Sequence, residues 1–60
     1  MGQVISDIEW NDFVNDNYVS LDVIEIIALR IIGGFEQTDR EIAIYKEHSK
    51  RIENKIKRLK

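Results

Sequence analysis

Sixty residues make at most one small domain, and a chain this short buries only about 60% of the surface its unfolded form exposes. There is no cysteine and a single histidine, His48, which excludes disulfides and thiolate metal sites and leaves zinc with a poor, carboxylate-dominated ligand set. The net charge of −2 hides a segregation: residues 1–45 carry nine acidic and two basic side chains, residues 46–60 seven basic and two acidic. That asymmetry fits a nucleic-acid or acidic-protein contact, and equally two halves attracting each other within a dimer.

Helix starts are marked along the chain. Ser6-Asp7-Ile8-Glu9 has the form of a capping box, serine accepting from the N3 amide and glutamate reaching back to the cap. It predicts a first helix over about 7–17. Trp10, Phe13, Val14 and Tyr18 share one face, with Ile8 at its edge, and the Asn-Asp-Asn run at 15–17 is the terminator.

Ser20 is the N-cap expected for a second helix over 21–32, with Asp22 placed at the positive end of its dipole. This segment is apolar nearly all round, which suits a bundle centre or an oligomer interface. Its β-branched content would also suit a strand, with Gly33-Gly34 closing a hairpin, but Phe35–Arg40 makes a poor partner strand. Gly33 is expected to end the helix in the left-handed conformation. The apolar run Val23–Ile32 holds Glu25 and Arg30 and falls short of the ~20 residues that span a bilayer, so no membrane partner is expected. Without a basic region ahead of an apolar run at the N-terminus, and without cysteine, a cytoplasmic protein is expected.

Thr38-Asp39-Arg40-Glu41 repeats the capping box and opens a third helix over 39–59. Ile42, Tyr45, Ser49, Ile52, Ile56 and Leu59 alternate spacings of three and four, a coiled-coil-like seam with one polar position. Uninterrupted, this helix would be about 31 Å long against about 18 Å for the second. Folded back, the second helix would cover the third only to about Ser49–Ile52, leaving Ile56 and Leu59 for the first helix or a second subunit.

Chemical signatures are missing. Gly33-Gly34 has neither the spacing of a dinucleotide fingerprint nor the Lys-Ser/Thr of a phosphate loop. The acid pairs Asp7/Glu9 and Asp39/Glu41 are first-turn charges and capping members. No enzymatic activity, cofactor, metal or small-molecule substrate is expected.

The stretch LRIIGGFEQTDREIAIYKEHS resembles the helix-turn-helix regions of LuxR-type regulators and sigma factors, where a helix ending in glycine precedes an "EIA" helix and a serine opens the recognition helix. Glu41, Ile42, Ala43 and Ser49 carry the likeness, which covers about the second half of the chain. It implies helices over 39–46 and 50–59, with Lys50, Arg51, Asn54, Lys55 and Arg58 facing the major groove and phosphates. The chain departs from the pattern at Lys46, His48 and Glu53, where such motifs carry apolar residues, and the isoleucines run in phase along one continuous helix.

The sequence therefore predicts a single all-α domain over residues 1–60, three helices forming a small bundle, the last long, with a basic C-terminal part at 46–60 and a bundle completed by dimerisation. The expected core is Trp10, Phe13, Leu21, Ile24, Ile27, Ala28, Ile31, Ile42, Tyr45, Ile52 and Ile56. The expected function is a non-enzymatic regulator or inhibitor acting through helix-mediated contact with itself and a larger protein, over Ile26, Leu29, Ile52, Ile56 and Leu59. The alternative is a DNA-binding regulator using the degenerate helix-turn-helix.

Overall fold

The structure, a computed structural model, describes residues 5–59. Lys60, the last residue of the basic stretch, lies outside the described residues. Among them are three helices and no strand: α1 (Asp7–Asp16), α2 (Leu21–Ile32) and α3 (Asp39–Leu59). No helix of the described part is long and apolar enough to cross a membrane.

All three starts form as their sequences predict. Ser6 accepts from the Glu9 amide while Glu9 returns to the Ser6 N–H. Ser20 accepts from the Val23 amide at 3.3 Å. The Thr38 hydroxyl accepts from the Glu41 amide at 3.2 Å, and the Thr38 N–H donates to Glu41 Oε1 at 2.8 Å. Each box satisfies amide donors that the first helical turn leaves without partners.

The ends differ in one detail. Asn17 terminates α1 at φ 53°, a left-handed conformation that asparagine tolerates. Gly33, expected to be left-handed, has φ −75° and ψ −6°, and Gly34 takes the positive φ of 75° instead. The reason is the bonding of the helix end. Phe35 N–H donates to the Arg30 carbonyl and Gly34 N–H to the Ile31 carbonyl, a Schellman arrangement that puts its left-handed residue at 34. A Cβ on Gly33 would come within 2.8 Å of the exposed Phe35 ring, which would have to turn aside to admit it.

The α2 and α3 helices run antiparallel. Arg30 near the end of α2 meets Glu41 near the start of α3, and Glu25 meets Lys55 at the other end. Between them lies a core of Val23, Ile24, Ile27, Ala28, Ile44 and Ile52, joined by Ile5 and Val19. Ile27, Ile44 and Ile52 are wholly buried, each worth roughly 1.5–3 kcal/mol of transfer free energy. The α1 helix buries no residue completely; Ile5 before it and Val19 after it anchor it, while Trp10 and Phe13 pack on the core at their edges. Arg40 adds a second tie, its guanidinium 5.3 Å from the Trp10 ring centre and 2.8 Å from Asp7.

Two expected core residues lie outside it. Leu21 is 77% exposed and Ile42 is 42% exposed, and Ile44 takes the interior place on α3. The buried Glu41 explains the phase. It must face α2 to reach Arg30 Nε at 2.7 Å and must also bond the Thr38 amide, so the residue one turn on that faces inward is Ile44. The expected reach of α2 was also too short. It extends to Lys55, and Ile56 packs against the core from its edge while Leu59 remains exposed.

Candidate nucleic-acid interface

The expectation of an uninterrupted third helix fails at one residue. His48 has φ −122° and ψ 31°, outside helical geometry, and α3 is kinked there into arms over 39–47 and 49–59. The break falls inside the segment 47–49 where the helix-turn-helix alternative requires one.

Side chains from both arms and from α1 converge on the kink. The His48 ring lies 6.0 Å from that of Phe13, tilted by 59°, and its Nε2 is 3.2 Å from Asn17 Oδ1. Its Nδ1 is 3.4 Å from a guanidinium nitrogen of Arg51. A guanidinium only donates, so Nδ1 accepts and Nε2 carries the proton toward Asn17; one neutral tautomer serves both contacts. The left-handed end of α1 thus sits directly against the break in α3.

Tyr45 and Glu53 span the same break. They are eight residues apart, about 12 Å of rise in a straight helix. Even so, the Tyr45 hydroxyl donates to Glu53 Oε1 at 3.2 Å. That bond, then the charge of Glu53 and partial burial, raise the Tyr45 pKa above its ordinary 10.0. The folded state therefore holds this proton more tightly than the unfolded one. Its stabilisation is complete below pH 10 and is lost as the pH rises through the raised value. Tyr45→Phe is expected to lose stability less steeply above pH 10 than the parent, measured as urea midpoints normalised to neutral pH. Equal alkaline slopes would show that the bond does not form in solution.

The C-terminal arm is amphipathic. Ile52 is wholly buried and Ile56 half-buried, while Lys50, Arg51, Asn54, Lys57 and Arg58 are exposed. At 100° per residue these five fall on the face opposite the two isoleucines. Lys57 was absent from the sequence-derived set, although its spacing of three from Asn54 places it there. Lys55 differs from the others: it is half-buried, with Nζ 3.8 Å from Glu25 Oε2.

The residues expected to form a protein interface are not brought together. Ile52 fills the core of its own chain and offers no surface. Ile26 and Ile56 are half-buried. Leu29 and Leu59 are exposed but lie toward opposite ends of the antiparallel pair. Among the described residues no group of three or more His, Asp or Glu side chains is arranged to hold a metal ion. An apolar groove opens elsewhere, between Ile31, Gln37, Ile42, Tyr45 and Lys46.

Neither a family model, nor a curated protein, nor a solved structure matches this chain.

Proposed function

We propose that the chain is a DNA-binding regulator that reads the duplex with the C-terminal arm of α3, as a degenerate helix-turn-helix. The observation that carries this reading is the break at His48. It separates a Thr38-capped arm from a second arm whose inner face is fixed to the core by Ile52 and whose outer face is basic. An arm of eleven residues is about 16 Å long, enough to cross a major groove about 12 Å wide. Arg51, Arg58 and the lysines suit phosphates or guanine edges, and Asn54 suits an adenine edge.

The arrangement departs from the usual motif, whose turn takes three to four residues and whose helices cross at about 90–120°. Here one residue makes the break. The test is binding of short duplex DNA, followed by anisotropy over a salt series. The expected result is an affinity that falls steeply as salt rises, because cations that neutralise phosphates release counterions. No binding at low salt would remove the proposal.

A second reading, a homodimeric regulator or inhibitor acting through protein contact, is favoured by exposed apolar surface. Leu29, Ile32 and Phe35 are exposed, as is Ile42 beside the apolar groove. Sedimentation over a concentration series tests the self-association, which a monomer throughout would exclude.

A further inference from the structure

Beside the basic arm lies a cleft of about 290 Å³ that two helices build together: Leu21 and Ile24 from α2, and Arg51, Asn54, Lys55 and Arg58 from α3. Ile24, 3% exposed, supplies an apolar floor, and Leu21, the most exposed large apolar residue of the chain's described part, stands at the rim. Three cations line the cleft against one carboxylate in contact, Glu25 on Lys55; Asp22, exposed, follows Leu21 in the first turn of α2. Arg51 uses one nitrogen on His48, which leaves most of its five N–H donors free.

We infer that this cleft seats one phosphate of the DNA backbone together with its sugar, at the edge of the groove entered by the C-terminal arm. The inference rests on the DNA-binding reading and adds to it a residue from α2. Arg51 and Arg58 donate to the phosphate oxygens, and Leu21 packs against the apolar side of the deoxyribose. The cleft lies at the lower end of small-molecule pocket volumes, about 300–1,000 Å³, which suits a fragment of backbone better than a whole ligand. Leu21, which the chain's own core leaves exposed, would gain cover from such a backbone.

The experiment compares the parent with Leu21→Glu, Ile8→Glu and Arg58→Gln on one labelled duplex over a salt series. Ile8 is as exposed as Leu21, at 76%, but lies on α1 near Asp7 and Arg40, at the other end of α3. It controls for the added charge. Leu21→Glu is expected to weaken binding tenfold or more and Ile8→Glu to weaken it little, with unchanged thermal unfolding in both. Arg58→Gln is expected to make the slope of log K against log salt shallower by less than about 0.9, because Arg51 keeps its hold on the same phosphate. A Leu21→Glu affinity equal to the parent's, or equal losses in both glutamate variants, overturns the cleft while leaving DNA binding intact. A parent that binds no duplex at low salt overturns both.

Discussion

Arg30→Met is expected to destabilise the fold by about 3–5 kcal/mol, the cost of breaking a buried ion pair and leaving one charge alone. Glu41 is wholly buried, and Arg30 Nε stands 2.7 Å from its Oε2. The two atoms are close but poorly aligned for a hydrogen bond, so the attraction is mainly Coulombic. Arg30 also donates to the Glu36 carbonyl at 2.6 Å and lies over the Phe35 ring, tying the α2–α3 connection to both helices. A chain of this size has a total stability of roughly 3–9 kcal/mol, so the variant should lose a large fraction of it and unfold at a much lower urea concentration.

Glu41→Gln has a smaller expected effect. Glutamine can still bond the Thr38 amide within the capping box, and Arg30, 17% exposed, keeps some solvent and the Glu36 carbonyl. The double variant Arg30→Met, Glu41→Gln should recover most of the loss, because no charge remains buried. Urea unfolding of the three variants measures the coupling. A single Arg30→Met that unfolds at the parent's midpoint would show that the pair does not hold the helices together.

The second large effect is on binding. Replacing Lys50, Arg51 and Arg58 together with glutamine removes three cations from the outer face of the C-terminal arm. If Lys50 meets one phosphate and Arg51 and Arg58 share another, the slope of log K against log salt should become shallower by about 1.8, and low-salt affinity should fall by orders of magnitude. All three are exposed, so the fold should survive with its circular dichroism unchanged. The same substitutions spread over α1 and α2 are not available, since residues 1–45 hold only Arg30 and Arg40 as cations. The three-site variant thus asks directly whether the basic arm makes the contact. An unchanged salt slope would place the binding elsewhere.

Much of the local structure was legible in the chain because it depends on neighbours in sequence. Ser6 with Glu9, Ser20 with Val23, and Thr38 with Glu41 are three residues apart, and their bonds close within one turn. The helix boundaries followed from those caps and from Asn17 and the glycine pair. The candidate basic residues were legible for the same reason, since charge and helical spacing place them without reference to the rest of the fold. Leu21 was not. Its spacing fits a core face, and only the direction in which α2 lies against α3 leaves it at the rim of a basic cleft.

The sequence by itself determined three helices, their caps and the basic character of the last arm, all of which are set by interactions within one or two turns. Tertiary structure decided which face of α3 turns inward and where that helix breaks. The first depends on Glu41 pairing with Arg30 from another helix, a contact that overrides the phase of Ile42. The break sits where the end of α1 meets α3, at Asn17, Phe13 and His48. Those residues are more than thirty positions from His48 in the chain, so an isoleucine repeat read along one helix carried no information about them.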